Sequence, residues 1–382
     1  KPEFMSSSKL FQTYPYQIDY KKETKMVVGR GFLNDPSSIN LIPDDAASSP
    51  IFLFTDETVN ELYGKKLADT LQRMNYDIHR LVLPDGEESK SLTNYSYLVE
   101  RVLSQGVDER SVFISLGGGV VCNVCGFVAS TIYRGLDLVH LPTTVMAQCD
   151  AAISHKQAIN GYQGKNLVGS YYSPRLVAVD VETLNTLPDR LISDGLSEVI
   201  KHALGQDVDY IEFLQKYNGD IRDLDFLEEV ITRNVRLKCD LVKNDPKEHR
   251  EGMILQYGHT VGHAVERLSG YRLYHGESVG IGMAVAARVA RLLGACDDSL
   301  VSLHDSLISK FKLPTKIPAG IRPEDILASV RYSKRFLTEG TRMALLSEPG
   351  KLWCVDDEYA IPVSDQVITE AVIQCMEENH NV

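Results

Sequence analysis

Ser111-Val112-Phe113-Ile114-Ser115-Leu116-Gly117-Gly118-Gly119 is an apolar run that ends in three consecutive glycines. β-Branched and aromatic residues at this density predict a buried strand, and the glycines predict a turn into a following helix. The same alternation continues on both sides. Residues 51–55 read as a strand ending at Asp56, 59–74 as a helix, 78–83 as the next strand and 92–103 as another helix. Downstream, 138–141 and 176–179 read as two further strands. Strands that alternate with helices imply parallel βαβ units, so the expected fold class is α/β with an open sheet.

After about Pro188 the texture changes. Amphipathic stretches at 191–204, 208–217, 225–242, 252–268, 276–293 and 298–311 predict helices, with few strand signals among them. Residues 1–188 are therefore expected to form a sheet-bearing domain and 189–382 a mostly α-helical one; 382 residues suffice for two cores. Residues 345–355 are ambiguous, with a short hairpin as one reading. The chain carries neither internal repeats nor low-complexity tracts.

Composition narrows the function classes. With 43% hydrophobic and 24% charged residues the chain resembles ordinary soluble globular proteins. No apolar run is long enough to cross a bilayer, and no secretory h-region opens the sequence. Lys1-Pro2-Glu3-Phe4 ahead of Met5 reads as a vector-derived leader, which makes Met5 the expected natural start. Seven cysteines, an odd number without framework spacing, point to a reduced, cytoplasmic setting. A net charge of −12 argues against nucleic acid as a partner. It leaves room for a small anion, because a cleft can focus positive potential against the global sign.

Several motifs carry chemistry. Glycines at 117–119, between a strand and a helix, let backbone N–H groups approach a pyrophosphate at the helix N-terminus. A plain tight turn is the competing reading, since this is not the G-x-G-x-x-G pattern. Thr143 and Thr144, at the end of a later strand, could offer hydroxyls to the same ligand, and Asp56 is placed to accept from ribose hydroxyls. Asp150, Lys156, Asn160, Lys165 and Asn166 crowd one stretch with glycines at 161, 164 and 169. With Lys201, and with Lys238 and Lys334 from elsewhere, they read as a phosphate cradle, where a solvated loop would explain only one or two lysines.

Glu198, His259 and His275 supply two imidazoles and one carboxylate, the usual protein share of an open catalytic zinc site. His259 and His263 also stand at i, i+4 on a helix, so either His263 or His275 could complete the set. No glutamate lies between them, which disfavours a metalloprotease. Cys122 and Cys125 form a lone C-x-x-C and read as small buried helix residues. His202 reads as a satisfied helix histidine.

In this order the elements resemble the sugar phosphate cyclases, among them the dehydroquinate synthases, from about Asp56 to Lys334. That resemblance implies a Rossmann-like NAD-binding N-terminal domain and a mostly α-helical, metal-binding C-terminal domain, with the active site between them. It implies Glu198, His259 and His275 as ligands of zinc or cobalt, with His263 near the phosphate and proton-transfer path. Implied NAD contacts are Asp56, Glu87, Lys90, Gly118, Gly119, Val120, Asn123, Thr143, Thr144 and Lys165. Implied substrate contacts are Asp150, Lys156, Asn166, Lys201, Lys238 and Lys334. Arg134 matches an arginine that reaches the neighbouring subunit's phosphate site, so a homodimer is implied.

Departures within the family concern the substrate. Gly252 stands where dehydroquinate synthases place an arginine for a carboxylate, and Asn123 where they commonly have an aspartate. Lys156-Gln157-Ala158-Ile159-Asn160 looks closer to the Lys-Gln-Ala-Val-Asn of 2-deoxy-scyllo-inosose synthases, which act on glucose 6-phosphate. Gln256 departs from both branches, which carry glutamate or asparagine there. Sedoheptulose 7-phosphate cyclases resemble the chain less, since they lack a histidine at the position of His263. A metal-dependent polyol dehydrogenase is the rival reaction type, and it has no need of several phosphate-directed lysines. A non-catalytic NAD- or metal-binding regulator is the rival class.

Overall fold

The computed structural model describes residues 23–162, 164–331 and 340–376. Its strands are β1 (Lys25–Gly29), β2 (Ile51–Asp56), β3 (Ile78–Leu83), β4 (Val112–Gly117), β5 (Asp137–Pro142), β6 (Lys156–Gly161), β7 (Gly164–Tyr171) and β8 (Leu176–Asp180), followed by the two- and three-residue strands β9 (Arg342–Met343), β10 (Leu346–Glu348), β11 (Lys351–Leu352) and β12 (Ile361–Pro362). The helices are α1 (Glu57–Val59), α2 (Lys65–Arg73), α3 (Leu92–Ser104), α4 (Gly119–Thr131), α5 (Val145–Cys149), α6 (Asp189–Gln206), α7 (Val208–Lys216), α8 (Leu224–Asn244), α9 (His259–Leu268), α10 (His275–Leu292), α11 (Asp298–Lys310), α12 (Pro323–Arg331) and α13 (Asp365–Gln374).

Six strands form one parallel sheet in the order β1-β8-β5-β4-β2-β3. Side chains alternate across a strand, so each strand serves two cores. Ile51, Leu53, Val112 and Ile114 pack with Leu67 and Leu71 of α2 on one face. Phe52, Phe54 and Phe113 pack with Leu98 of α3 and Val121 of α4 on the other. Burial on both faces is why these strands read as continuous apolar runs. From α6 onward the described chain is mostly helical, and its core joins Val145, Val177 and Val179 of the sheet side to α6, α8, α9 and α10.

The structure departs from the sequence-based expectation in several places. The helix expected over 59–74 runs without a break from Glu57 to Arg73, but a π-helical turn over Asn60–Gly64 interrupts its α-helical hydrogen bonding between α1 and α2. The expected helix over 252–268 is a 3-10 turn (Glu251–Gln256) and then α9, broken where Gly258 adopts φ +77, a left-handed conformation open to glycine. The lysine-rich stretch from 156 is an antiparallel hairpin, β6–β7, apart from the main sheet. β1, α12 and α13 were not anticipated. The ambiguous segment at 345–355 contains the antiparallel pair β10–β11.

Candidate active site

β2, β4, β5 and β8 end on the same side of the sheet, the side where parallel α/β sheets bind ligands. A cleft of about 1650 Å³ opens there, lined by Asp56, Gly118, Gly119, Thr143 and Thr144 from the sheet and by Gln256, His259, His263 and His275 from the helices. Gly117 closes β4 and Gly118 caps α4. A Cβ at Gly117 would sit 2.6 Å from Val121 Cγ2, so helix and strand approach this closely only with glycine there. Val120 lies in the first turn of α4. Thr143 donates its backbone N–H to the Gly117 carbonyl at 3.0 Å. Its Oγ1 is buried with no partner among the described residues, as a ligand-directed hydroxyl would be. Thr144 caps α5, and Asp56 caps α1 by accepting from Val59 N at 2.7 Å. Asn123 donates to the Gly119 carbonyl at 2.8 Å and accepts from Ala158 N at 3.3 Å, tying α4 to the hairpin.

The hairpin is fastened to β3's following turn. Asn160 donates to Glu87 Oε1 at 2.8 Å, and Lys90 donates to the Asn166 side chain. Burial pulls the Lys90 ammonium below its ordinary pKa despite the Glu87 charge.

Four lysines of the cleft region each meet a carboxylate. Lys156 pairs with Glu248, Lys201 with Glu198, Lys238 with Asp150, and Lys165 with Glu266 at 2.6 Å. Burial opposes ionisation of Asp150, but Lys238 and Lys201 outweigh it and hold the carboxyl well below its usual range. Gln256 Nε2 donates to Glu248 Oε2 at 2.8 Å, so one carboxylate orients both Gln256 and Lys156. Sequence reasoning gave Glu248 and Glu266 no role of their own, because an acidic residue carries no local signal of the distant lysine it will pair with. Arg134 lies in the exposed turn after α4 and does not line the cleft of its own chain. Lys334 lies outside the described residues.

His259 and His263 project from α9, and His275 begins α10. Their ring centroids are 5.0, 5.3 and 5.6 Å apart, and one nitrogen of each lies within 4.8 Å of the others. Close contact between α9 and α10 makes this possible: a Cβ at Gly282 would fall 1.8 Å from the Gly258 carbonyl oxygen. Asp194 of α6 caps α10 by accepting from Gly276 N at 2.6 Å and Glu277 N at 3.2 Å, and burial pushes its carboxyl up to about 6. Burial, Lys201 and the neighbouring imidazoles hold His259 well below its ordinary pKa, and burial with His275 lowers His263 to about 4. His275 differs. Burial works against its charge, but Glu266, 3.7 Å away, outweighs it and raises the pKa.

Three imidazoles this close fit a divalent ion, which binds their neutral form and would displace the proton that Glu266 favours on His275. The structure gathers His263 with His259 and His275, so the alternative read from the sequence stays open. Glu198 stands in a second group with Asp150 and His202, close enough to His275 for its charge to be felt there. Oε1 of Glu198 is buried with no hydrogen-bond partner among the described residues. The second group holds its own positive charge in Lys201 and Lys238 and does not call for a second ion. His202 corrects the expectation of a satisfied histidine: Nδ1 meets Gln206 Oε1 at 2.5 Å, but buried Nε2 has no hydrogen-bond partner among the described residues. Cys122 and Cys125 are buried on α4 as expected, and burial pushes the Cys122 thiol up to about 12, out of redox or ligand chemistry.

Residues 80–194 match the family model for the N-terminal region of 3-dehydroquinate synthase, and residues 195–336 that for its C-terminal region. Over 333 residues the chain is 40% identical to 2-deoxy-scyllo-inosose synthase from Streptoalloteichus tenebrarius, covering 85% of this chain and 86% of that one. It is 37% identical over 308 residues to 3-dehydroquinate synthase from Symbiobacterium thermophilum, covering 80% and 86%. A crystal structure of 2-deoxy-scyllo-inosose synthase complexed with carbaglucose-6-phosphate, NAD+ and Co2+ superposes with a TM-score of 0.84 at 30% identity, covering 92% of this chain and 96% of that one. A probable glycerol dehydrogenase from Sinorhizobium meliloti, at 14% identity and a TM-score of 0.64, shares the fold alone.

Proposed function

The chain belongs to the dehydroquinate synthase-like family of sugar phosphate cyclases, and on that footing we propose that it converts glucose 6-phosphate to 2-deoxy-scyllo-inosose with loss of phosphate. The observation that carries the substrate choice is Gly252. Its backbone N–H is held by Asp245 Oδ2 at 2.9 Å, and a Cβ there would meet that oxygen at 2.7 Å and the Asp245 carbonyl oxygen at 3.0 Å. No guanidinium stands at this position to pair with a substrate carboxylate. A carboxylate left unpaired in a closed site costs several kcal/mol, so a sugar phosphate without one is favoured.

In this reading residues 1–188 hold NAD and residues 189–382 hold a zinc or cobalt ion through Glu198, His259 and His275. When bound, NAD would supply reversible hydride transfer and the ion Lewis acidity toward a substrate hydroxyl, for a redox-neutral loss of the elements of phosphoric acid from the sugar. Gly118, Gly119 and Val120 would hold the pyrophosphate through backbone N–H groups, and Asp56, Glu87, Lys90, Asn123, Thr143, Thr144 and Lys165 would hold the rest of the dinucleotide. Lys156, Lys201 and Lys238 exchange their carboxylate partners for substrate oxygens, and Asn166 and Lys334 add contacts. Asp150 orients a ring hydroxyl. Neutral His263 accepts a proton at its free nitrogen, on the path between substrate and phosphate. Gln256 binds without acting as a base. A homodimer would bring Arg134 of one protomer to the phosphate of its partner.

Phosphate release from glucose 6-phosphate, sedoheptulose 7-phosphate and the heptulosonate phosphate, each at equal concentration, tests the proposal. Glucose 6-phosphate is the expected substrate. Dehydroquinate as the main product would mean that another cation replaces the missing arginine and would place the chain with the dehydroquinate synthases.

A further inference from the structure

Tyr257 and His304 are fully buried, and neither lines the cleft. The Tyr257 hydroxyl lies 2.7 Å from His304 Nε2, and His304 Nδ1 lies 2.7 Å from the Leu300 carbonyl oxygen, one turn earlier on α11. A carbonyl only accepts, so Nδ1 carries the proton, Nε2 presents its lone pair, and the Tyr257 hydroxyl donates. The backbone carbonyl of Tyr257 in turn accepts from His259 Nδ1 at 3.0 Å. The same logic leaves Nε2 of His259 unprotonated, the nitrogen a divalent ion would take. Between the two residues stands Gly258 at φ +77, where even a Cβ would meet Met283 Cγ at 2.7 Å and the Val279 carbonyl oxygen at 2.9 Å.

We infer that Tyr257 and His304 are a positioning pair for His259: anchoring the Tyr257 ring fixes its carbonyl, which fixes the tautomer and rotation of the imidazole. This rests on His259 as a metal ligand. His304 touches no part of the cleft and acts only through Tyr257. The chain is therefore tuned for metal from α11, an element that contributes no ligand.

Cobalt(II) titration of the full chain, with affinity read by chelator competition and the visible spectrum of the bound ion, tests this beside urea unfolding of the metal-free protein. Tyr257→Phe and His304→Leu each strand one buried polar group, so both lose stability whatever the role of the pair. The double variant strands none and regains stability. Cobalt affinity is expected to fall by about 10–100-fold in all three, with an altered spectrum in the double variant despite its recovered stability. His304→Gln can reproduce both hydrogen bonds and is expected to keep the wild-type affinity. Recovery of affinity together with stability in the double variant overturns the inference, as does unchanged affinity in a folded single variant. His259→Ala is the separate control. Full cobalt affinity in that variant would remove the ligand assignment itself, independently of the Tyr257–His304 pair.

Discussion

Gly282→Ala is expected to loosen the metal-binding half of the site without touching any ligand. An ideal Cβ at Gly282 falls 1.8 Å from the Gly258 carbonyl oxygen and 2.8 Å from both Gly258 C and Gly262 N. Carbon–oxygen contacts between helices normally run about 3.3–3.6 Å, so α9 and α10 would have to part by on the order of 1.5 Å. All three obstructing atoms are backbone and cannot rotate aside. Overpacking of this kind costs about 1–3 kcal/mol, partly offset by roughly 1 kcal/mol of helix propensity gained when alanine replaces glycine. Separation occurs where His259 and His263 face His275, so metal binding should suffer more than global stability. Gly280→Ala, on the same helix, is the control: its nearest neighbours would be Pro314 O at 3.2 Å and Ile308 Cγ2 at 3.3 Å, which small shifts can absorb. Urea unfolding and zinc affinity by chelator competition read both variants. We expect Gly282→Ala to lose at least about tenfold in zinc affinity and Gly280→Ala to stay near wild type. Equal behaviour of the two variants would refute the reasoning, since helix propensity alone would then explain the result.

Other expected outcomes test the ligands and the redox balance. His275→Ala should lose metal and phosphate release together, measured by metal analysis and a phosphate assay; full occupancy in that variant would move the ligand role to His263. NAD should remain catalytic, so absorbance of NADH should not rise in step with product, and continuous accumulation would favour a dehydrogenase. Lys156→Ala should lower kcat/KM by at least about tenfold, because a charge-assisted contact to phosphate contributes roughly 1.5–3 kcal/mol. An unchanged kcat/KM would leave Lys156 as no more than the partner of Glu248.

Much of the sheet was legible: β2 and β4, buried on both faces, cannot hide their apolar character and lie within one residue of the runs at 51–55 and 111–116, and the half-buried edge strand β3 lies at 78–83 as expected. β1 escaped notice because it is a five-residue edge strand with no fully buried position. The β6–β7 hairpin escaped because only Gln157 and Ile159 of β6 are buried and its other residues are polar or small. Amino-acid type also determined the chemistry on offer: the His259/His263 spacing, the glycines after β4, the lysines around 156 and 201, and the absence of an arginine at 252. Tertiary structure alone decided who meets whom. Lys156 and Glu248 are separated by 92 positions, Lys165 and Glu266 by 101, and Tyr257 and His304 by 47. His275 joins the other histidines where Gly258, Gly262 and Gly282 let α10 rest on the backbone of α9. Local periodicity reports which face of an element is apolar, and it carries no information about the partner that face or a charged tip will find across the chain. That choice belongs to packing, where close backbone approach, burial and charge compensation must be satisfied together.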